Sequence, residues 1–297
     1  MHRYSYRRRR QRINLRRFGK YAVVLLALAA VLAIAYASTL TVQVAEHELR
    51  IADLPDNLKN LRIVFLSDIH QGPWFSQKRV DQLIAQVNDL SADIVIFGGD
   101  YAQDAQSAIS FFQTLPEVSS RLGTYAIAGD KDRSDKDGSL ALLLAAMKNK
   151  GITGVVNSVE PIKLGKSYLY VAGADDYAKG YPKMDKVASQ VHEDDFVIFA
   201  GHSPNLLPAM HDARDREGNS HWYDLALFGH THGGQINLFG YTPLRKLRTE
   251  MGRHYQSGLL AENRAYILVS NGVGTEYVPL RLFSAPKVHL MVLKKGS

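Results

Sequence analysis

The sequence predicts an α/β fold preceded by one apolar N-terminal helix, and three observations support this. From about residue 59 onward, short β-branched or aromatic runs alternate with amphipathic stretches, which is typical of α/β domains. Five of the apolar runs end in a small residue followed by Asp or His. Residues 21–40 contain no charged side chain, and a helix of about twenty apolar residues is about 30 Å long, the thickness of a bilayer core.

The positive charge of the chain is concentrated in residues 1–20. The formal net charge is +7, but nine of the 36 Lys and Arg residues lie in this segment, which has no Asp or Glu. The rest of the chain has 27 basic and 29 acidic side chains and is therefore not basic. Because a nucleic-acid-binding domain carries its excess positive charge on its folded surface, we expect no nucleic-acid partner.

Residues 1–20 and 21–40 together predict a basic cytoplasmic tail and a transmembrane anchor. Positive charges precede the apolar segment and none follows it directly, so the positive-inside rule places the N-terminus in the cytoplasm and the folded domain outside it. Two alternatives stay open for this segment. The tripeptide at 35–37, Ala-Tyr-Ala, resembles a signal-peptidase site, and the Arg pair at 16–17 is compatible with twin-arginine export.

The remaining chain is expected to form a linker over residues 41–58 and one domain over residues 59–297. Within the domain, the alternation predicts strands at 61–66, 93–97, 125–128, 168–172, 196–199, 225–228, 266–269 and 288–293. Helices are predicted around residues 80–87, 105–119 and 139–150, the last of them ended by Gly151. The chain has no cysteine, which excludes disulfides, thiolate metal sites and a Cys nucleophile.

Five of the predicted strands end in side chains that bind metals well. They are IVFLSDIH with Asp68 and His70, IVIFGGD with Asp100, YAIAGDKD with Asp130, FVIFAGH with His202, and LALFGHTH with His230 and His232. In open α/β sheets, ligands collect in the loops outside the carboxyl ends of the strands. The glycines at 99, 129, 201 and 229 are expected to let the backbone turn sharply there and bring these side chains together.

Three Asp and four His are too many for one closed tetrahedral site, and they suit two ions that share a carboxylate. The mixture of carboxylates and imidazoles favours Mn²⁺, Fe²⁺ or Zn²⁺ over Ca²⁺ or Mg²⁺ alone. Two such ions, about 3.5–4 Å apart, suit the hydrolysis of a phosphate ester, because they deprotonate a bridging water and neutralise the phosphoryl oxygens.

These motifs resemble those of the calcineurin-like metallophosphoesterases. The family pattern DxH, GD, GNH(D/E), a lone His and GHxH is met in order by SDIH, GGD, GDKD, FAGHSPN and FGHTHGGQI, over roughly residues 60–295. The late segment LVSNGVGTEYVPLRL is similar to that of the bacterial membrane-associated branch, the YkuE- and YaeI-like phosphodiesterases. The resemblance implies a two-sheet β-sandwich flanked by helices, here preceded by one transmembrane helix in the bacterial inner (cytoplasmic) membrane.

The resemblance also implies a role for each candidate residue, with a metal-bridging hydroxide as the attacking group. One ion is expected on Asp68, His70 and His232, the other on Asp130, His202 and His230, with Asp100 bridging the two. Since the family is metal-dependent, the expected cofactors are two divalent ions, Mn, Fe or Zn.

One motif departs from the family pattern, which has Asn followed by His where this chain has Asp130 and Lys131. We expect Asp130 to bind the ion as the family Asn does. Lys131 is expected to stabilise the transition state more readily than it protonates a leaving group, because an ordinary Lys is a poor acid at neutral pH. We therefore expect an enzyme that prefers substrates with good leaving groups or has an alkaline pH optimum. The alternative is a membrane-surface module that binds metal with weak or no turnover.

The substrate is expected to be a phosphate ester, and a lipid-linked one is favoured. Tethering and the resemblance favour a phosphodiester, pyrophosphate or phosphomonoester of a lipid or cell-envelope molecule, with nucleotide hydrolysis as a second hypothesis. Trp74 and Phe75 directly follow the first metal motif and are candidate substrate-binding residues. In the alternative interpretation, these two aromatic side chains pack in the core or a loop.

Overall fold

A long helix precedes the folded domain in the computed structural model of the chain. The structure describes residues 2–134, 138–165 and 167–296, and it describes side chains from residue 17 onward. Helix α1 spans His2–Ala37. Its part from Arg17 to Ala37 is long and apolar enough to cross a membrane, a measure based on length and composition that signal sequences also satisfy. The side chains of the predicted basic tail before Arg17 lie outside the described residues.

Two six-stranded sheets form the domain. The first has, in spatial order, β1 (Gln43–Ile51), β12 (Lys287–Lys295), β2 (Arg62–Leu66), β3 (Ile94–Phe97), β4 (Gly123–Ala126) and β5 (Thr153–Gly154). The second has β10 (Gly258–Glu262), β11 (Ala265–Val269), β9 (Leu225–Phe228), β8 (Phe196–Gly201), β7 (Ser167–Gly173) and β6 (Ser158–Leu164).

Most strand pairs are parallel, so their carboxyl ends meet at one edge of each sheet. Strands β2, β3 and β4 run in the same direction, as do β7, β8, β9 and β11. Strand β12 returns antiparallel to β2 and pairs in parallel with β1. The loops after β2, β3, β4, β8 and β9 are therefore in a position to converge.

Helices cover the outer faces of both sheets. They are α2 (Gln77–Asp89), α3 (Ala105–Thr114), α4 (Ser139–Asn149), α5 (Met184–Ala188) and α6 (Leu207–Asp212), with short 3-10 helices at Asp56–Leu58, Pro204–Leu206, His232–Gly234, Arg245–Leu247 and Arg253–Tyr255. Helix α3 ends before the predicted residue 119, because Leu115 precedes Pro116 and adopts an extended conformation.

Apolar side chains from the two sheets pack against each other. Phe65, Ile96 and Ile127 from the first sheet share one buried cluster with Val171, Ile198 and Leu227 from the second. A second cluster lies under α2, α3 and α4, and a third lies under α5 and α6. This confirms the predicted two-sheet α/β architecture with flanking helices.

Residues 43–51, expected to belong to a linker, form the edge strand β1, which pairs with β12 along its whole length. The other strands that the sequence pattern did not indicate are β5, β6 and β10, and each of them is also an edge strand. The side chains of these four edge strands are mostly half-buried or exposed. Their hydrophobic pattern is therefore weak, as in QVAEHELRI of β1.

Candidate metal centre

The seven predicted side chains lie together where the two sheets present their parallel strand ends. Their potential ligand atoms fall into three overlapping groups, each with its atoms within 4.8 Å of one another: Asp68, His70 and His232; Asp130, His202 and His230; and Asp68, Asp100 and His202. The first two groups coincide with the two predicted ligand sets. That these atoms bind metal stays a prediction.

His202 lies at the centre of the three carboxylates. Its Nε2 atom is 3.4 Å from Asp100 Oδ2, 3.5 Å from Asp130 Oδ1 and 3.9 Å from Asp68 Oδ1. Its Nδ1 atom is 2.8 Å from the Gly98 carbonyl oxygen and donates to it, because a carbonyl can only accept. The Nε2 atom therefore faces the carboxylates.

Buried atoms without partners test whether the site fits divalent ions. Among the described residues, Asp130 Oδ1 and His202 Nε2 are buried and lack a hydrogen-bond partner. Buried polar atoms in proteins are otherwise almost always paired. Oxygen and nitrogen donors that converge without protein partners are the arrangement that a divalent ion needs, so the residues present fit the metals that the family uses.

The neighbouring carboxylates raise the pKa of an imidazole in this site, and burial lowers it. Although burial opposes it, Asp100, Asp130 and Asp68 hold the pKa of His202 well above its usual value. Burial, together with the charges of His70 and Arg281, lowers the pKa of His232 well below its usual value. His232 is thus neutral and ready to bind a metal. At His202 an ion has to displace a proton, so metal binding releases protons.

Five of the seven residues adopt a backbone conformation that non-glycine residues rarely take. Asp68, His70, Asp100, His230 and His232 have φ between 48° and 67°. Asp and His tolerate this left-handed region better than most residues, and such outliers cluster at functional sites. The backbone thereby turns the side chains into the cluster.

The four glycines of the motifs contribute in two different ways. Only Gly99 has a positive φ, of 87°, and makes the sharp turn expected of all four. At Gly129 and Gly229 the missing side chain provides space instead. A Cβ atom at Gly129 would overlap Asp100 Oδ1, and one at Gly229 would lie 2.6 Å from Asp68 Oδ2.

Lys131 is held between two carboxylates. Its Nζ atom lies 2.7 Å from Asp130 Oδ2 and 2.9 Å from Glu276 Oε1. Although burial opposes it, Asp100 and Asp130 raise the pKa of Lys131, with help from hydrogen bonds to Asp130 and Glu276. The side chain is therefore a fixed cation. Glu276 lies in the segment LVSNGVGTEYVPLRL, and no local signal in the sequence indicated that it would reach Lys131.

Two further buried residues hold the ligand loops, and neither was predicted from the sequence. Asp132 accepts hydrogen bonds from the backbone N–H groups of Asp100 at 2.7 Å, Gly129 at 2.8 Å and Tyr101 at 3.0 Å. It thus joins the loops after β3 and β4. Asp132 occupies the last position of the family motif GNH(D/E). This match is the sequence feature from which its role could have been predicted.

Arg281 stabilises the loop of His232 through hydrogen bonds to backbone carbonyl groups. The side chain is fully buried and donates to the carbonyl oxygens of His232 at 3.3 Å, Ser284 at 2.9 Å and Asn271 at 2.8 Å. Burial lowers the pKa of Arg281 to about 9, so it stays charged at neutral pH. Ser284 Oγ also donates to the His232 carbonyl, at 2.7 Å.

The two candidate substrate-binding aromatics differ in exposure. Phe75 is 2% exposed and packs in the core beneath the Arg79 guanidinium, 4.2 Å from its ring centroid. Phe75 therefore cannot contact a substrate, and its prediction as a substrate-binding residue is corrected. Trp74 is 41% exposed, so its role stays a prediction.

A cavity of about 540 Å³ opens beside Lys131. Three cationic side chains line it, Lys131, Arg133 and Lys179, together with one carboxylate, Asp104, and the apolar side chains of Ile109 and Leu142. Arg133 is partly neutralised by Asp175, at 3.1 Å. The cavity therefore combines positive charge with an apolar wall next to the candidate metal centre.

Comparisons with known proteins agree with this site. Residues 61–234, more than half of the chain, match the family described as calcineurin-like phosphoesterase. YkuE of Bacillus subtilis, described as an uncharacterized metallophosphoesterase, is 25% identical over 257 residues, covering 85% of this chain and 86% of YkuE. The phosphodiesterase YaeI of Escherichia coli is 28% identical over 250 residues, covering 82% of this chain and 86% of YaeI.

A third relative is described as a transmembrane protein with a metallophosphoesterase domain. It comes from Danio rerio and is 27% identical over 267 residues, which are 86% of this chain but only 58% of that protein. The family match covers all seven side chains of the metal-competent cluster, and the two bacterial relatives cover most of both chains. The chain therefore belongs to the calcineurin-like phosphoesterase family of metal-dependent hydrolases.

Proposed function

We propose that this protein is a membrane-anchored phosphohydrolase that cleaves a phosphodiester, pyrophosphate or phosphomonoester bond in a lipid or cell-envelope molecule. The observation that carries the proposal is the convergence of three carboxylates and four imidazoles in one cluster. In the proposed assignment, Asp68, His70 and His232 hold one ion, and Asp130, His202 and His230 hold the other, with Asp100 shared. When bound, two divalent ions supply the Lewis acidity that activates a water and neutralises phosphoryl oxygens.

The protein's own residues keep this site rigid and mostly buried. Asp132 and Arg281 hold the ligand loops through backbone hydrogen bonds, so the candidate ligands need little rearrangement when ions bind. A preformed site of this kind lowers the cost of reaching the transition state. The mixed donor set favours Mn²⁺, Fe²⁺ or Zn²⁺.

The fixed charge of Lys131 shapes the reaction that we propose. Because its raised pKa makes it a poor proton donor, Lys131 stabilises negative charge near the phosphoryl group without protonating the leaving group. Glu276 neutralises part of that charge. We therefore propose a preference for substrates with good leaving groups. The ion pairs of Lys131 with Asp130 and Glu276 also favour the second candidate, a metal-binding module with weak or no turnover.

The cavity beside Lys131 supports a substrate that carries a second anionic group. Lys179 and Arg133 line it with Lys131, and cationic side chains of this kind bind phosphate groups. The apolar wall formed by Ile109 and Leu142 gives room for an acyl or other apolar part. A lipid-linked diphosphate or phosphodiester meets both requirements.

The proposed anchor is the predicted segment 21–40, most of which lies in the apolar part of α1 from Arg17 to Ala37. The charge asymmetry of the sequence favours a catalytic domain outside the cytoplasm. The Danio rerio relative, which is described as a transmembrane protein, supports the anchoring. Fusing a reporter enzyme active only outside the cytoplasm after Ser297 tests the orientation. We expect activity from this reporter; activity of a cytoplasmic reporter at the same position would contradict the orientation.

The full-length protein, purified in detergent and loaded with Mn²⁺, Fe²⁺ or Zn²⁺, tests the catalytic proposal. We expect bound metal and turnover of an aryl phosphodiester or diphosphate, with EDTA abolishing both. Metal binding without turnover on monoesters, diesters or diphosphates would favour the module. The double substitution Asp130→Asn with Lys131→His is the matched comparison: a large gain over near-zero starting activity would also favour the module.

A further inference from the structure

Several exposed apolar side chains lie on two segments, residues 238–241 and 277–283, and the second segment contacts the end of α1 through Arg281. We define the apolar rim as Leu238, Phe239, Tyr241, Tyr277 and Phe283, which are 41%, 95%, 56%, 43% and 72% exposed. The rings of Phe239 and Phe283 lie next to each other, with centroids 5.8 Å apart. Contiguous apolar side chains exposed in this way mark a surface that contacts a partner or a membrane.

The backbone presents the two phenylalanines under strain. Phe239 and Phe283 have φ of 53° and 54°, a region that bulky side chains rarely adopt and that Gly or Asn adopts at less cost. Phe239 sits in the tight turn between Leu238 and Tyr241, which pair with each other. A water-exposed turn of this shape would be more stable with Asn than with Phe. The phenyl rings are therefore better explained by contact with an apolar phase.

The segment that carries Phe283 is hydrogen-bonded to the end of α1 through Arg281. The backbone N–H of Arg281, two residues before Phe283, donates to the Ala35 carbonyl at 2.9 Å. Ser38 Oγ donates to the Arg281 carbonyl at 2.5 Å. Ala35 is 4% exposed, so the end of α1 is packed onto the domain. The end of α1 is therefore fixed against Arg281, two residues before Phe283.

The loop that carries three of the five rim residues, Leu238, Phe239 and Tyr241, is basic. Residues 236–256 include Arg245, Lys246, Arg248 and Arg253 against the single acid Glu250, and all four cations are exposed. Beside the turn lies a cavity of about 220 Å³ lined by Tyr241, Arg248 and Arg253. Aromatic side chains beside Lys and Arg are typical of surfaces that bind anionic lipid headgroups.

We propose that the apolar rim and these cations dock on the anionic surface of the bilayer that α1 enters, with Phe239 and Phe283 at the acyl-chain boundary. This inference rests on the proposed anchoring. His232 is linked to the rim through Arg281 and Ser284, which hold its carbonyl oxygen. Docking therefore places the metal-competent cluster beside the lipid headgroups, where a phosphoester of a membrane lipid reaches it without leaving the bilayer.

Site-specific labelling of the full-length chain tests the docking, since the chain has no native cysteine. Phe239→Cys carries a spin label in nanodiscs of phosphatidylethanolamine and phosphatidylglycerol. Tyr168→Cys is the matched control: Tyr168 is 45% exposed and lies at the opposite end of β7 from the cluster. We expect the label at 239 to collide mainly with oxygen and the label at 168 with a water-soluble nickel chelate. Equal nickel accessibility at both positions would overturn the docking.

A kinetic comparison separates docking from catalysis. We expect Phe239→Asn to keep turnover of a soluble aryl phosphodiester and to lose about tenfold in turnover of a phosphodiester lipid in anionic vesicles, because interfacial binding scales with buried apolar surface. Tyr181→Asn, at a position 78% exposed, is the control and should change neither rate. Equal vesicle turnover for Phe239→Asn and the unchanged chain would contradict the docking while leaving the proposed function intact. A bilayer-buried label on a protein without any turnover would support the docking and refute the proposed function.

Discussion

Replacing Asp100 with asparagine is expected to lower kcat/KM for an aryl phosphodiester by about 1,000-fold, because a neutral amide offers one oxygen where two ions need a shared carboxylate. Asp100 is 1% exposed and its carboxylate lies 3.4 Å from His202 Nε2 and 3.6 Å from His70 Nε2. The Asn side chain keeps the acceptor for the Lys131 N–H, which Asp100 Oδ1 now binds at 2.9 Å. The change therefore removes charge with little loss of local structure.

Steady-state kinetics together with bound-metal analysis check the Asp100→Asn result. We expect fewer than two ions per chain, with an unfolding midpoint in EDTA close to that of the unchanged protein. Asp89→Asn, at an exposed carboxylate at the end of α2, is the control and should leave kinetics and metal content unchanged. Full activity with two bound ions in Asp100→Asn would show that Asp100 is not the shared ligand.

Replacing Lys131 with methionine is expected to reduce both stability and activity. The change leaves the carboxylates of Asp130 and Glu276 without the cation that lies between them. Glu276 is 7% exposed, and breaking a buried ion pair from one side costs about 3–5 kcal/mol. We expect a loss near the lower end of this range because the Lys131 side chain is 23% exposed. We also expect a loss of about 100-fold in kcat/KM, since Lys131 provides positive charge where the transition state gains negative charge.

The double substitution Lys131→Met with Glu276→Gln separates the two effects. Removing both charges takes away the unpaired buried carboxylate, so most of the free energy of unfolding in denaturant should return. Activity should stay low, because the cation near the phosphoryl group is still missing. If the double variant regains full activity, Lys131 serves only to neutralise Glu276 and has no role in catalysis. Glu276→Gln alone is the companion variant that completes the cycle.

The metal-competent cluster could be predicted from the sequence because its residues follow inner strands. The inner strands that precede the cluster residues are buried on both faces and therefore form continuous apolar runs, as in IVFL before Asp68 and LALF before His230. All eight strands that the pattern indicated are inner strands of the two sheets. Parallel pairing then brings the strand ends together whatever the loops contain, so local sequence was sufficient to find the seven side chains.

The sequence by itself thus determined the inner strands, the apolar part of α1 and the residues that can bind metal, because each leaves a local pattern of apolar runs and polar ends. Only the tertiary structure decided the rest. The edge strands β1, β5, β6 and β10 carry too few buried side chains to leave such a pattern. The pairing of Lys131 with Glu276 and the seating of α1 on Arg281 join segments far apart in the chain, and their geometry depends on how the two sheets pack.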